Sequence, residues 1–139
     1  MIFFYVRHGD PIYNPDSLTP LGERQAEAVA KRLCMHGVNK IYASTSNRAI
    51  LTGKPTADIM GKEPQLLEFC NEANIAKDFM IGEWPHPDQD WAWNHKDTRK
   101  LFMDPEVVAM GHDWYKHPKL AEYTFEHGVQ QMYEGVDQL

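Results

Sequence analysis

Residues 2–10 read Ile2-Phe3-Phe4-Tyr5-Val6-Arg7-His8-Gly9-Asp10, an apolar run that stops abruptly at a charged tip with a glycine. A continuous apolar run of this length, ended by a turn signal, is typical of a strand buried on both faces of a parallel sheet. We therefore predict a first strand here, with Arg7 and His8 at its carboxyl end, where open α/β sheets bind ligands. An arginine beside a histidine at such a tip can hold an anion and present an imidazole to it.

Size and charge limit the classes of function. The chain has 139 residues, enough for one domain with a core, and its formal net charge is −6. This balance disfavours nucleic acid and anionic membranes as partners, so local positive charge must hold any anionic substrate. The N-terminus lacks a signal-peptide pattern, and no apolar run approaches the ~18 residues of a membrane span. We expect a cytoplasmic protein.

The first half of the chain alternates between strand and helix patterns. After the first strand we predict a loop over residues 10–16 and a helix that begins at Pro20, with Thr19 as its N-cap, and is ended by Gly37 as its C′ residue. We then predict a strand over residues 40–44, a helix over residues 47–60 and a strand over residues 65–70. This βαβαβ order with short links predicts an α/β fold with a mostly parallel sheet and right-handed crossovers.

The second half has a different character. Residues 76–117 contain all four tryptophans and show no period of 2 or 3.6, so we interpret them as an irregular, cap-like excursion with short helices near residues 97–103 and 105–111. From Leu120 onward, helical spacing predicts an amphipathic helix that is still running at Leu139. We assign residues 1–139 to a single domain with an incomplete C-terminal end.

Ionisable residues follow each of the three predicted strands: Arg7 and His8 at the end of the first, Arg48 after the second and Glu72 after the third. Two arginines can neutralise a phosphoryl group through charge-assisted hydrogen bonds. A neutral imidazole can attack phosphorus and form a covalent intermediate, and a carboxylic acid can protonate the leaving oxygen. The arginines supply the positive charge, so this chemistry needs no metal and no cofactor.

The same residues resemble a known family. Phe4–Gly9 (FYVRHG), Leu18–Gly22 (LTPLG) and Ile41–Ser44 (IYAS) followed by Arg48 are similar, in order and spacing, to the motifs of the histidine phosphatase superfamily, the phosphoglycerate mutase-like family. The resemblance covers about the first half of the chain. It implies a three-layer α/β/α fold, His8 as the phosphorylated nucleophile, and phosphate binding by Arg7 and Arg48 with Asn14 assisting.

The resemblance also implies an acid and a second histidine. Glu72 fits the proton donor best, and Glu68 and Glu83 compete for that role. The family's second histidine completes the phosphate pocket. Only His127, which precedes a glycine, matches it here, in a stretch whose period is helical.

We therefore expect the second histidine to lie beyond Leu139 and catalysis to be impaired, since losing such a group typically costs about 100- to 1000-fold in rate. The resemblance implies that the strand carrying this histidine pairs beside the first strand. Without it the first strand would expose an edge, which a homo-oligomer could cover.

Two other groups of residues are weaker candidates for a functional site. The pairs His86/His95 and His112/His117 lack the spacing of a zinc site, and no CxxC supports them. The aromatic residues of the excursion suit either a lid over substrate or a small satellite core; they are Trp84, Trp91, Trp93, Phe102, Trp114 and Tyr115.

We expect a small phosphorylated metabolite as the partner of this chain. The sequence is compatible with three functions toward it. We expect a phosphomonoester hydrolase that acts through a phosphohistidine. A phosphoglycerate mutase-type phosphoryl transfer uses the same first step. A non-catalytic phosphate-binding domain would keep the Arg-His-Gly tip without turnover.

Overall fold

The computed structural model describes residues 2–82 and 90–139, and the chain divides into two compact units, Met1–Asn71 and Glu72–Leu139. The helices of the described part are α1 (Pro20–Cys34), α2 (Asn47–Met60), α3 (Glu72–Phe79), α4 (Lys96–Phe102), α5 (Pro105–Ala109) and α6 (Phe125–Asp137). Its strands are β1 (Pro11–Tyr13), β2 (Asp16–Leu18), β3 (Tyr42–Ser44), β4 (Gln65–Leu67), β5 (Met80–Ile81) and β6 (Asp90–Trp91).

Packing of α1 on α2 organises the first unit. Ala26 and Ala30 on α1 and Ala57 on α2 are each at most 3% exposed, and such small side chains let two helices approach closely. The start of α1 is the predicted one, because the hydroxyl of Thr19 accepts a hydrogen bond from the backbone N–H of Gly22 at 3.1 Å.

The strands of the first unit form two pairs. β1 and β2 make an antiparallel hairpin in which Tyr13 lies opposite Asp16. β3 and β4 pair in parallel, with α2 as the connection between them, so the predicted strand–helix–strand order is present. The α/β class is confirmed. The described strands nevertheless form separate pairs, one of them parallel, and not a single mostly parallel sheet.

The prediction of a buried first strand is wrong. Residues 2–6 carry no strand in the structure, and their side chains are exposed, from 40% at Val6 to 90% at Tyr5. A strand needs a neighbour for its backbone N–H and C=O groups, and no strand within the described ranges pairs with this segment. Apolar character predicted burial, but a sequence pattern does not show whether a pairing partner exists.

Three boundaries also differ from the prediction. The expected loop over residues 10–16 contains β1 and the first residue of β2, because a short hairpin edge tolerates proline. The strand predicted over residues 65–70 ends at Leu67, and a 3₁₀ turn follows over Glu68–Cys70. The helix expected to end near Gly37 ends at Cys34.

An aromatic core holds the second unit together. The fully or nearly fully buried residues are Phe79, Ala92, Val107, Tyr115, Leu120, Phe125 and Val129. Trp91 and Trp114 pack against them, and Trp93 stacks on Trp91 with ring centroids 4.8 Å apart. Tyr115 in the core, with Trp91, Phe102 and Trp114 packed against it, agrees with the second of the two interpretations, whereas Trp93 is 49% exposed. Trp84 lies outside the described residues.

Gly128 brings α6 onto α3. A Cβ atom added to it would lie 2.5 Å from Cε2 of Phe79 and 2.8 Å from Cβ of Asp78. Only the missing side chain permits this separation, so the contact depends on glycine.

The single-domain assignment of residues 1–139 stays a prediction. None of the helices in the described part of the chain combines the length and apolar character needed to cross a membrane.

Candidate active site

A short hydrogen bond fixes the ring of His8. Its Nδ1 lies 2.7 Å from the backbone carbonyl oxygen of Gly9. A carbonyl oxygen only accepts, so Nδ1 carries the proton and donates it. In the neutral imidazole the lone pair is then on Nε2, which is the atom available to attack an electrophile.

The Arg-His-Gly segment is held against the start of α1. A Cβ atom added to Gly9 would lie 2.6 Å from the carbonyl oxygen of Gly22, so neither residue can carry a side chain without a shift of backbone. The next residue, Asp10, donates from its backbone N–H to Oε1 of Gln25 at 2.7 Å and accepts at its carboxylate from the hydroxyl of Thr19 at 2.6 Å. These contacts give the segment a fixed place although it is not a strand.

Thr52 ties this segment to α2. Its hydroxyl accepts from the backbone N–H of Gly9 at 3.0 Å and donates to the backbone carbonyl of Arg48 at 2.7 Å. Thr52 is 7% exposed. The structure thus links the two predicted phosphate-binding stretches, residues 7–9 and Arg48, through one buried hydroxyl.

The β1–β2 hairpin holds the guanidinium group of Arg48. Its Nη1 donates to Oδ1 of Asp16 at 2.9 Å, and its Cζ lies 5.3 Å from the centre of the Tyr13 ring. The other carboxylate oxygen of Asp16 accepts from the backbone N–H of Asn47 at 2.6 Å. Partial burial raises the pKa of Asp16, but the hydrogen bonds from Arg48 and Asn47 and the charge of Arg48 outweigh it and hold the pKa below 3.8.

A cleft of about 300 Å³ opens beside the imidazole. It is lined by Arg7, His8, Gly9, Gln25, Ala26, Val29 and Thr52. Its volume lies at the lower end of the range for small-molecule sites, which suits a phosphoryl group better than a large ligand. Arg7 and His8 are the ionisable residues among those that line it, and none of the lining residues is an acid.

Three other predicted site residues, Arg48, Asn14 and Glu72, are not among those that line the cleft. Asn14 is exposed in the turn between β1 and β2 and does not line the cleft. Glu72 is the exposed first residue of α3 and belongs to the second unit. Glu68 accepts from the hydroxyl of Thr45 at 3.3 Å in the first unit, and Glu83 lies outside the described residues.

His127 lies on α6 and not on a strand. Its Nδ1 is 3.0 and 3.1 Å from the two carboxylate oxygens of the buried Asp78, and its Nε2 is 3.3 Å from Nε2 of Gln131. The contact with Asp78 joins α6 to α3 within the second unit, whereas the contact with Gln131 lies within α6.

Sequence reasoning missed the supporting residues of the site. Asp16 was assigned to a loop, and Tyr13 had no role, because nothing in a local pattern shows that a hairpin will reach Arg48. Nor does a local pattern predict that Thr52 and Gln25 will bind the backbone of Gly9 and Asp10. In the part of the chain that the structure describes, no three His, Cys, Asp or Glu side chains converge where a metal ion could be held.

Comparison with known proteins identifies the family. The model of the histidine phosphatase superfamily (branch 1) matches residues 3–106. The chain belongs to the histidine phosphatase superfamily. The matched residues include the whole of the cleft and both predicted phosphate-binding arginines.

Individual relatives within this superfamily match shorter parts. "Probable phosphoglycerate mutase GpmB" of Yersinia enterocolitica is 38% identical over 78 residues, which is 47% of this chain and 36% of that protein. The chain therefore spans little more than a third of that relative's length.

Solved structures of two phosphatases also resemble the chain, with TM-scores below 0.5. Phosphoserine phosphatase of Entamoeba histolytica in complex with 3-phosphoglyceric acid is 31% identical, with a TM-score of 0.38 over 44% of this chain and 34% of that one. A mycobacterial glucosyl-3-phosphoglycerate phosphatase with bound VO3 is 19% identical, with a TM-score of 0.43 over 78% of this chain and 68% of that one.

Proposed function

We propose that this chain carries the phosphoryl-accepting site of a phosphomonoester hydrolase, with His8 as the nucleophile. The observation that carries the proposal is the 2.7 Å hydrogen bond from Nδ1 of His8 to the Gly9 carbonyl, which leaves the lone pair on Nε2 in a residue that lines a cleft. Membership of the superfamily, over residues that include this site, supports the same chemistry.

The proposed reaction has two steps. Nε2 of His8 attacks phosphorus, the bond from phosphorus to the leaving oxygen breaks, and that oxygen takes a proton. Water then attacks the phosphohistidine and releases inorganic phosphate. Arg7 and Arg48 hold the negative oxygens of the transferring group, with Asn14 as a further hydrogen-bonding residue. Glu72 is our proposed proton donor, and an acid in this role contributes about 100- to 10,000-fold in rate.

A second candidate is a phosphate-binding domain with little or no turnover. No residue that lines the cleft carries a carboxyl group, so the described lining offers no proton donor of its own. In this case inorganic phosphate binds between the arginines, and the leaving oxygen of an ester is not protonated efficiently.

A third candidate, phosphoglycerate mutase-type transfer, takes its support from the Yersinia relative, which is named as a probable phosphoglycerate mutase. It shares the phosphohistidine and differs in the acceptor, which is a phosphoglycerate hydroxyl instead of water. A small phosphorylated metabolite as partner, a homo-oligomer and a cytoplasmic location also remain proposals.

One experiment separates these functions. The chain is mixed with 4-nitrophenyl phosphate, and the burst of nitrophenolate is compared with acid-labile, base-stable phosphate on the protein. We expect about one phosphate per chain on His8, none in His8→Ala, and an unchanged yield in His112→Ala, an exposed histidine outside the cleft.

Each other outcome favours one alternative. Phosphate binding without a burst favours the binding domain. Transfer of label from the protein to added phosphoglycerate faster than to water favours the mutase. Full activity of His8→Ala excludes His8 as the nucleophile.

A further inference from the structure

The carboxylate of Asp16 joins the β1–β2 hairpin to the first turn of α2. One oxygen accepts from Nη1 of Arg48 at 2.9 Å and the other from the backbone N–H of Asn47 at 2.6 Å, while the backbone carbonyl of Asp16 accepts from the Asn47 side-chain amide at 2.7 Å. Asn47 is the first residue of α2, and the hydroxyl of its N-cap, Ser46, makes no capping hydrogen bond. Asp16 therefore caps α2 from a neighbouring hairpin.

Arg48 is held from two directions by one pair of cross-strand neighbours. Tyr13 and Asp16 lie opposite each other in the β1–β2 register, and the guanidinium group contacts the ring of the first and the carboxylate of the second. The Arg48 side chain is 13% exposed. A long side chain with this little exposure and two directional contacts has lost most of its rotamer freedom before any ligand arrives.

We propose that Asp16 is a positioning residue that holds the guanidinium group of Arg48 in place for the phosphoryl group of the substrate. The inference rests on the proposed function only in taking Arg48 as a phosphate ligand. A guanidinium group carries five N–H donors in a fixed plane, so one edge can bind a carboxylate while the same group binds a phosphate.

Two effects of Asp16 on an anionic ligand oppose each other. Its negative charge repels the anion, and between unit charges about 6 Å apart in bulk water that repulsion weakens binding about threefold. Its hold on Arg48 spares the ligand the ordering of a free arginine side chain, which is worth about 30-fold. Positioning is the larger effect, so removing the carboxylate is expected to weaken the binding of a phosphate monoanion about tenfold.

The caps on α2 also keep Asp16 itself in place. Its bond to the Asn47 backbone does not involve Arg48, so the carboxylate stays where it is when the guanidinium group binds a ligand. Because the hydrogen bonds and the charge of Arg48 hold its pKa below the usual value, the residue is also ionised at neutral pH. A carboxylate that is both fixed and charged is what positioning requires.

The test measures the affinity of the full chain for inorganic phosphate as the monoanion, by calorimetry, for unsubstituted protein and for Asp16→Asn. The asparagine oxygen can still cap Asn47, so the start of α2 is preserved. We expect affinity to fall about tenfold. Asp58→Asn on the same helix, whose partner is Lys54 on the surface, serves as the matched control and should change nothing.

A double-mutant cycle separates positioning from a merely structural role. In an Arg48→Gln background, Asp16→Asn should change phosphate affinity less than about twofold, because a residue that acts through Arg48 has nothing left to position. An equal loss in both backgrounds would show a structural role and overturn the proposal. A gain in affinity for Asp16→Asn would show competition with the ligand and overturn it as well.

Thermal unfolding checks that each variant is folded, and Asp16→Ser, which can also cap Asn47, replaces Asp16→Asn should that variant unfold. Failure of the proposed function has a different signature. If phosphate binding falls as expected but no phosphohistidine forms on His8, the positioning holds and the hydrolase proposal fails. If phosphohistidine forms and Asp16→Asn binds phosphate like the unsubstituted chain, the hydrolase proposal holds and the positioning proposal fails. An unsubstituted chain that binds no phosphate overturns the positioning proposal.

Discussion

The backbone N–H of Gly9 donates to the hydroxyl of Thr52 at 3.0 Å. The same hydroxyl donates onward to the carbonyl of Arg48 at 2.7 Å, so one buried side chain connects the residue after His8, our proposed nucleophile, to the first turn of α2. The position of His8 relative to α2 therefore depends on the hydroxyl of one residue inside α2, Thr52.

Thr52→Val should destabilise the chain and disturb the site. Valine has the shape of threonine without the hydroxyl, so the buried N–H of Gly9 would lose its partner at a cost of about 1–3 kcal/mol. Urea unfolding measures the loss, and the phosphohistidine yield measures the effect on His8. Thr52→Ser keeps the hydroxyl and should retain most of the yield, whereas equal behaviour of both variants would contradict the role given to this hydrogen bond.

Gly9→Ala should destabilise the first unit by about 1–3 kcal/mol, because a Cβ atom there would lie 2.6 Å from the Gly22 carbonyl oxygen, which is backbone and cannot rotate away. Gly53→Ala is the matched control. A Cβ atom at Gly53 meets nothing within 4 Å, and this residue lies inside α2, so the change should stabilise by about 0.5–1 kcal/mol. Denaturant unfolding followed by circular dichroism measures both, and the same sign for the two variants would refute the close approach.

Gly128→Ala should loosen α6 from α3. The new methyl group would lie 2.5 Å from the Phe79 ring and 2.8 Å from Asp78, so the ring must shift within an aromatic core, at a cost of about 1–3 kcal/mol. All four tryptophans belong to residues 72–139, so tryptophan fluorescence follows unfolding of this unit. An unchanged fluorescence midpoint in urea would contradict the packing described for Gly128.

Asp16 should give the first unit an acid-sensitive contribution to stability. Its pKa is lower in the folded chain than the ordinary value of 3.8, so its stabilisation is fully present above that value and is lost as the pH falls through the folded-state pKa. The free energy of unfolding is measured from about pH 6 to about pH 2, the range in which carboxylates titrate. Toward the acid end it should decline less steeply in Asp16→Asn than in the unsubstituted chain. Identical slopes for the two proteins would refute the lowered pKa.

Residues 2–6 should promote association of the chain with itself. Phe3 is 71% and Tyr5 is 90% exposed, and backbone that pairs with no described strand can accept a strand from another copy. Phe3→Lys with Tyr5→Lys should reduce association, measured by sedimentation over a range of concentrations. Met35→Lys, at an equally exposed methionine after α1, is the control. Equal association of both variants would point to another surface.

Local signals in the sequence predicted the helices of the first unit well. Thr19 followed by Pro20 starts α1, and α2 runs from Asn47 to Met60 as expected, because capping and helical spacing act within a few residues. Residues 2–6 show the limit of this reasoning. Their pattern reports how apolar the segment is, whereas a strand also depends on a partner that is distant along the chain.

The same division applies to the candidate site. Arg7 and His8 are adjacent in sequence, and the structure finds them together on the cleft. The contact of Asp16 with Arg48 spans 32 residues, and that of Gly9 with Thr52 spans 43. No local pattern reports such separations, so the residues that support the arginine and the loop became visible only in the folded chain.

The opposition of Tyr13 and Asp16 across the hairpin has a consequence for how this protein can change over generations. Both contact the guanidinium group of Arg48, and they do so only while the turn at Asn14 and Pro15 keeps them opposite each other in the hairpin register. Inserting or deleting a single residue in this turn would direct one of the two side chains to the opposite face of the hairpin. Descendants of this sequence must therefore keep the number of residues between β1 and β2.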